Sequence, residues 1–169
     1  MNMKRKYVCF IIILNILLNI ISCKKDEWIK IDNQSDCAVD FKTPQGAILS
    51  LDEAYKSKDI SKILNCKNFD IEALYLIKYE MRDELTTQAI NEISKQLRNN
   101  FISEMKEQIP DISEIKKKEF VRFKKIDNDI VIINEIDYYT DGTNSSEYVL
   151  VGKGKNGWKV LFVSQYIMD

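Results

Sequence analysis

The chain has 169 residues, 25 of them basic and 26 acidic, for a net charge of −1, and it contains no histidine. The missing histidine excludes Ser-His and Cys-His nucleophile pairs and removes the commonest metal ligand. Charges of mixed sign, with Lys116-Lys117-Lys118 balanced by Glu114 and Glu119, argue against nucleic-acid capture, which needs unopposed cations. Five glycines, two prolines and 45% hydrophobic residues argue for a packed core and against disorder. No G-x-x-x-x-G-K-[ST], G-x-G-x-x-G or G-x-S-x-G motif occurs, so the sequence points to no catalytic residue, no cofactor and no metal site.

The N-terminus carries the clearest local signal. Lys4-Arg5-Lys6 precede an apolar run from Tyr7 to Ile21, which closes on Ile20-Ile21-Ser22-Cys23. Cations that stay on the cytoplasmic side, a short apolar stretch and a small residue at the end have the form of a secretory signal. The run is shorter than the ~20 residues of a spanning helix, and Asn15 and Asn19 interrupt it. Its last four residues resemble the lipobox of bacterial lipoproteins, in which the cysteine is acylated and becomes the new N-terminus. The resemblance implies a signal peptide over residues 1–22, lipidation (palmitate-type acylation) at Cys23, a lipid bilayer as partner and an extracytoplasmic place in the cell envelope. The competing reading is an ordinary signal or an uncleaved anchor with a chance cysteine. Lys24-Lys25-Asp26-Glu27 resembles a surface-export signal, which admits the outer membrane or cell surface, and reads equally well as a solvated tether. Residues 23–42 are then a lipidated linker, with Trp28, Ile29 and Ile31 as its isolated apolar residues and a short docking strand as its expected end. Residues 43–169 form one domain.

Cys37 and Cys66 are left after acylation and removal of Cys9 with the signal. In an oxidising compartment they can bridge, which closes a loop worth ~3 kcal/mol if their Cα atoms lie within ~7 Å. Two separately buried thiols are the alternative.

Thr43-Pro44 opens the first helix, since threonine is a good N-cap and proline is tolerated at the first helical position. Ala47, Ile48, Leu51, Ala54 and Tyr55 fall on one face, with Asp52, Glu53, Lys56 and Lys58 opposite. Asp59 caps a short second helix. Asn68 or Asp70 starts a third, with Phe69, Ala73, Leu74, Ile77 and Met81 as its apolar side. Thr86 or Thr87 caps a longer helix with a stripe of Ile90, Ile93, Leu97, Phe101 and Met105, stopped at Pro110. The stripe is too short for a coiled coil and reads as core-facing.

After Pro110 the period becomes that of strands. Phe120 to Lys125, Ile130 to Tyr139, Glu147 to Gly152 and Trp158 to Val163 are the candidates. Short links through Asp127-Asn128-Asp129, Asp141-Gly142 and Asn156-Gly157 make them an antiparallel meander. In the Asn156-Gly157 hairpin both central residues are expected at positive φ. Helices first and strands afterwards give an α+β domain with a curved C-terminal antiparallel sheet. On the second strand Ile130, Ile132, Asn134, Ile136 and Tyr138 are expected to face the helices. Val131, Ile133, Glu135, Asp137 and Tyr139 are expected to turn toward solvent or a partner near Glu135; a one-residue error in register would exchange the two faces. Lys116-Lys117-Lys118 reads as a solvated strand entry.

A helix of the form T-P-x-G-A-I-L-S-L-x-x-A-Y, then K-D-I and C-K-N-F-x-x-E-A, with a terminal sheet carrying D-G-T and N-G-W-K-V-L, resembles the nuclear transport factor 2-like fold. The matching positions are Thr43-Pro44, Gly46 to Leu51, Ala54-Tyr55, Lys58 to Ile60, Lys67 to Phe69, Glu72-Ala73, Asp141 to Thr143 and Asn156 to Leu161. More narrowly the chain is similar to immunity proteins of that fold found beside bacterial polymorphic toxins. The resemblance implies a cone in which the curved sheet wraps helices around a concave face. It further implies a non-enzymatic binding protein that neutralises a cognate protein toxin by contact, and it admits a homodimer.

Two other functions stay open. The cone can bind a small molecule or act as an isomerase or dehydratase. Glu135 or Asp137 would then be the buried acid, with Tyr55 or Tyr138 as a donor. The domain can instead be an accessory part of an envelope complex. The candidate partner or pocket face is therefore Tyr55, Glu135, Asp137, Tyr139 and Trp158. The plainer reading makes Trp158 a core or half-buried residue of the sheet and the two carboxylates solvated strand positions.

Overall fold

The computed structural model describes residues 27–31, 38–82 and 84–164. Cys23, Cys37 and the expected signal peptide lie outside them. A two-residue strand, β1 (Ile29–Lys30), is followed by the helices α1 (Pro44–Ser57), α2 (Ile60–Asn65), α3 (Phe69–Tyr75) and α4 (Thr87–Glu107). The strands β2 (Ile115–Lys125), β3 (Ile130–Tyr139), β4 (Asn144–Gly154) and β5 (Gly157–Ser164) complete the domain. All strand pairs are antiparallel, and the sheet order follows the chain, β1-β2-β3-β4-β5, without closing. The architecture is α+β, and the short docking strand expected at the end of residues 23–42 falls instead near their start, as β1. Among the described residues no helix is long and apolar enough to cross a membrane.

Cap chemistry sets the helix starts. Thr43 Oγ1 accepts from Gly46 N at 3.0 Å, Asp59 Oδ1 from Ser61 N at 2.9 Å, Asn68 Oδ1 from Ile71 N at 3.1 Å and Thr86 Oγ1 from Ala89 N at 3.1 Å. Each bond satisfies an amide that the helix leaves without an internal partner. The third helix departs from its expected course. After Tyr75 the backbone widens into a π-helical segment, Leu76–Met81, closed by Arg82 at φ 55°. The wider turn shifts the side-chain register, so Tyr75 and Ile77 are buried while Met81, expected on the apolar side, is 54% exposed.

The sheet is covered on both faces. Val131, Ile133, Val149, Val151 and Val160 meet Ala47, Ile48, Leu51 and Ala54 of α1, Ile63 of α2 and Met105 of α4. Burial of each large side chain contributes about 1.5–3 kcal/mol. The alternate residues Ile130, Ile132 and Leu150 pack with Leu161 and Tyr75 on the other face. The chain reaches that face around β5. Val160 N donates to Cys66 O at 3.0 Å, and Lys67 bridges Val160 in parallel. The next helix, α3, then lies so close to β4 that a Cβ on Gly152 would come within 2.7 Å of Ile71.

This arrangement corrects the expected faces of β3. Val131, Ile133, Glu135, Asp137 and Tyr139 point to the side of α1, and Ile130 and Ile132 point to α3. The apolar start of the strand carried no contrast because both faces are covered there. Strands β2 and β4 also begin earlier than expected, at Ile115 and Asn144. In the Asn156-Gly157 hairpin only Gly157 has positive φ, at 93°. A turn with the left-handed residue in its last place needs one such position, not two. A Cβ there would meet Phe41 O at 2.2 Å.

Candidate functional site

The expected carboxylates form the floor of a cavity. Glu135 and Asp137 project from β3 toward α1, 3% and 6% exposed, into a hollow of about 350 Å³. Tyr55 and Asp52 of α1, Lys118 of β2, Tyr139 of β3 and Glu147 of β4 line it together with Ile48, Leu51 and Val149. Pro110, Asp111, Ile112 and Ile115, from the link between α4 and β2 and the start of β2, also line it.

Lys118 stands at the centre. Strand pairing places it opposite Asp137, and its ammonium donates to Glu135 Oε1 at 2.6 Å. Asp137 Oδ1 lies 3.3 Å and Asp52 Oδ2 3.4 Å from the same Nζ. The Lys118 side chain is 9% exposed, so the expectation of a solvated entry holds for Lys116 and Lys117 and fails for Lys118. One ammonium does not satisfy this group. Glu135 Oε2 and Asp137 Oδ1 are buried without a hydrogen bond, the latter because its contact with Lys118 is poorly aligned. Glu147 sits directly across from Glu135 in the ladder, a like-charge pair.

The electrostatics follow from burial and crowding. Burial raises the Glu135 carboxyl to about 7; Lys118 opposes the rise, and Asp52 and Asp137 add to it. Asp52 and Glu147 are also raised, in each case first by burial, with Asp137 adding and Lys118 opposing. The surrounding carboxylates hold the Lys118 ammonium above its ordinary range against its own desolvation. Burial and the nearby Asp52 push the Tyr55 phenol up to about 12, so it stays a neutral donor. Tyr139 shares a hydrogen bond of 2.8 Å with Ser145.

Four of the five expected site residues, Tyr55, Glu135, Asp137 and Tyr139, thus share one cavity. Trp158 does not join them. It lies on β5, half-buried against the main core, where its backbone N–H donates to Phe41 O at 2.8 Å. Tyr138 points away, and its hydroxyl donates to Glu119 Oε2 at 3.1 Å. Cys66 is a buried thiol of the main core, raised above its ordinary range by burial. Its expected partner Cys37 lies outside the described residues.

The sequence missed Lys118 and Asp52. Once β2 is extended back to Ile115, the alternation of strand residues places Lys118 on the face of Phe120, and that signal was readable.

A second hollow of about 390 Å³ lies beyond Tyr55, lined by Phe69, Leu97, Phe101, Met105 and the buried pair Lys67–Glu72. Lys67 Nζ is 3.3 Å from Glu72 Oε2 and 5.1 Å from the centre of the Phe101 ring. There Lys67 meets two lining carboxylates, Glu72 and Glu104, whereas five carboxylates surround one ammonium in the first cavity; the larger excess makes the first cavity the candidate site. Among the described residues no group of acids and cysteines has the geometry of a metal site. Comparison with protein-family models, with curated proteins and with solved structures gives no match.

Proposed function

We propose that the domain is a non-enzymatic binding module of the nuclear transport factor 2-like cone type, tethered to a bacterial envelope membrane through acylated Cys23, with a small ligand held in the cavity over Glu135 and Asp137. One observation carries this reading: two buried carboxylates, Glu135 with an unpartnered Oε2 and Asp137 with an Oδ1 that accepts no hydrogen bond, open into a hollow large enough for a ligand. As a stability device the cluster is poor. Several carboxylates around one ammonium lose solvation that the pair contacts do not return, and a core of similar volume built from valine and leucine would be cheaper. Such perturbed groups in a cleft favour a site. Turnover is not part of the proposal, because Glu135 Oε1 is held by Lys118 and no activated nucleophile accompanies it.

The test is a fragment screen followed by NMR on the full chain with labelled aromatic rings. The expected result is a small molecule that moves the ring signals of Tyr55 and Tyr139 and leaves Trp28 unchanged. Shifts confined to Trp28 and Trp158, or none at millimolar concentration, would refute the reading.

A second reading is an immunity protein that masks a toxin. Ile93, Leu97 and Phe101 of α4 are only half-buried, and Val163 is 48% exposed near them, which offers an apolar contact surface. Pull-down with the full chain as bait separates the two: a stoichiometric secreted toxin lost on Leu97→Asp favours masking.

A further inference from the structure

We infer that the cavity selects a cation: a small amine or guanidinium with an apolar body, its head against Glu135 and Asp137. The inference rests on the cavity being the ligand site and adds the charge of what enters it.

Four carboxylates line the hollow on three elements, Asp52 on α1, Glu135 and Asp137 on β3, and Glu147 on β4, and a fifth, Asp111, lies on the link before β2. Lys118 is the single cation among the lining residues. Its short bond goes to Glu135 Oε1, and its longer contacts go to Asp137 and Asp52. Glu135 Oε2 has no partner, and Asp137 Oδ1 has only its poorly aligned 3.3 Å contact with Lys118; both sit on side chains more than nine-tenths buried and belong to residues two apart on one face of β3.

An ammonium or guanidinium supplies what this pair lacks, which is N–H donors and positive charge together. An anion meets repulsion from four carboxylates against the attraction of one ammonium. A neutral alcohol can donate once and leaves the charge excess in place. Ile48, Leu51 and Val149 form the apolar wall for the body of the ligand.

The charge balance also predicts a proton. The groups facing Glu135 are Asp52 and Tyr55 from α1, Lys118 from β2, Asp137 and Tyr139 from β3 itself, Glu147 from β4 and Asp111 from the link. With burial raising Glu135 to about 7, a proton on Glu135 offsets part of the negative excess in acid. The incoming cation replaces that proton, which passes to solvent. Affinity then falls about tenfold per pH unit below 7 and is flat just above it.

The test is calorimetry on the full chain in neutral detergent with three probes of similar size: 2-phenylethylamine, 3-phenylpropan-1-ol and 3-phenylpropionate. At pH 8 the amine should bind at least tenfold more tightly than the alcohol, and the propionate should not bind. From pH 8 to pH 6 the amine should weaken about tenfold, with proton release at pH 6, while the alcohol stays constant. Glu135→Gln should remove the pH slope and most of the preference for the amine. Asp137→Asn, which leaves the Lys118–Glu135 bond in place, should cut amine affinity and keep the slope. Equal binding of amine and alcohol overturns the charge inference and leaves the cavity reading standing. No binding by any probe overturns both. Amine binding that is unchanged in Glu135→Gln overturns the placement at Glu135.

Discussion

Replacing Lys118 with methionine removes the only cation of the cavity and nearly preserves volume, so its effect isolates the charge. In the wild type, Glu135 has a folded pKa of about 7 against 4.5 for an ordinary glutamate. The folded state therefore holds more protons than the unfolded state between those two values. Its contribution to stability is fully present below about pH 4.5 and is lost as pH rises through 7, a difference of about 3 kcal/mol from this group. In Lys118→Met the attraction that lowers Glu135 and Asp52 is gone, and both carboxyls rise further. At pH 8 the buried carboxylates face one another without compensation, and the cost should be about 3–5 kcal/mol, as for a buried pair broken on one side. At pH 5 protons replace the ammonium, and the deficit should shrink to about 1–2 kcal/mol, the loss of hydrogen bonds alone. Urea unfolding of wild type and variant at both pH values measures this, with equal m-values as the control for two-state behaviour. A deficit under 1 kcal/mol at pH 8, or one of the same size at pH 5 and pH 8, would refute the electrostatic account of the cavity.

Gly157→Ala should cost at least ~3 kcal/mol in a thermal melt, since φ is 93° and the added Cβ would meet Phe41 O at 2.2 Å. A loss below 1 kcal/mol would mean that the hairpin does not pack on Phe41. Asn68→Ala removes the acceptor for Ile71 N and should cost about 1 kcal/mol in urea unfolding; no change would deny the cap. Cys23→Ala should abolish incorporation of an alkyne fatty acid in live cells and move the protein from the membrane to the soluble fraction, whereas label retained in the variant would sink the tether.

What the sequence made legible was local chemistry. Thr43, Asp59, Asn68 and Thr86 announce their helices because an N-cap side chain satisfies an amide a few residues away. Strand β3 was bounded at both ends by turn residues, and its limits match. What failed was whatever depends on a distant partner. The buried run from Ile130 to Ile133 shows no alternation, because α3 covers the face that α1 leaves, so hydrophobicity could not choose a side. Asp52 and Lys118 look like surface charges on a helix and a strand. Alternation back from Phe120 could have turned Lys118 inward, but only the register that sets it against Asp137 brings it together with Asp52 in one buried cluster. The residues Glu135 and Asp137 were visible as a same-face pair, and their burial was not.

The placement of β1 bears on how a tethered cavity would present itself. Ile29 pairs with Phe123 and Lys30 with Arg122, antiparallel, so toward the N-terminus the chain runs along the later half of β2. Trp28 closes this end, 4.5 Å from the Arg122 guanidinium and 5.8 Å from the ring of Tyr148. The cavity lies at the other end of the same strand, where Ile115 and Lys118 line it. Five residues of strand from Lys118 to Phe123 span about 17 Å. Between Cys23 and Glu27 the chain can reach about 14 Å at most. Were Cys23 acylated as proposed, the anchor would lie at the Trp28 end of β2, and the acid-lined hollow at its far end. Moving the anchor to the far end, with Cys23→Ala and a new acylated segment after Asp169, should leave binding in detergent unchanged. In vesicles, binding should alter only if the membrane then covers the mouth. An unchanged affinity in both settings for every anchor position would remove orientation from the account and leave only the chemistry of the cavity.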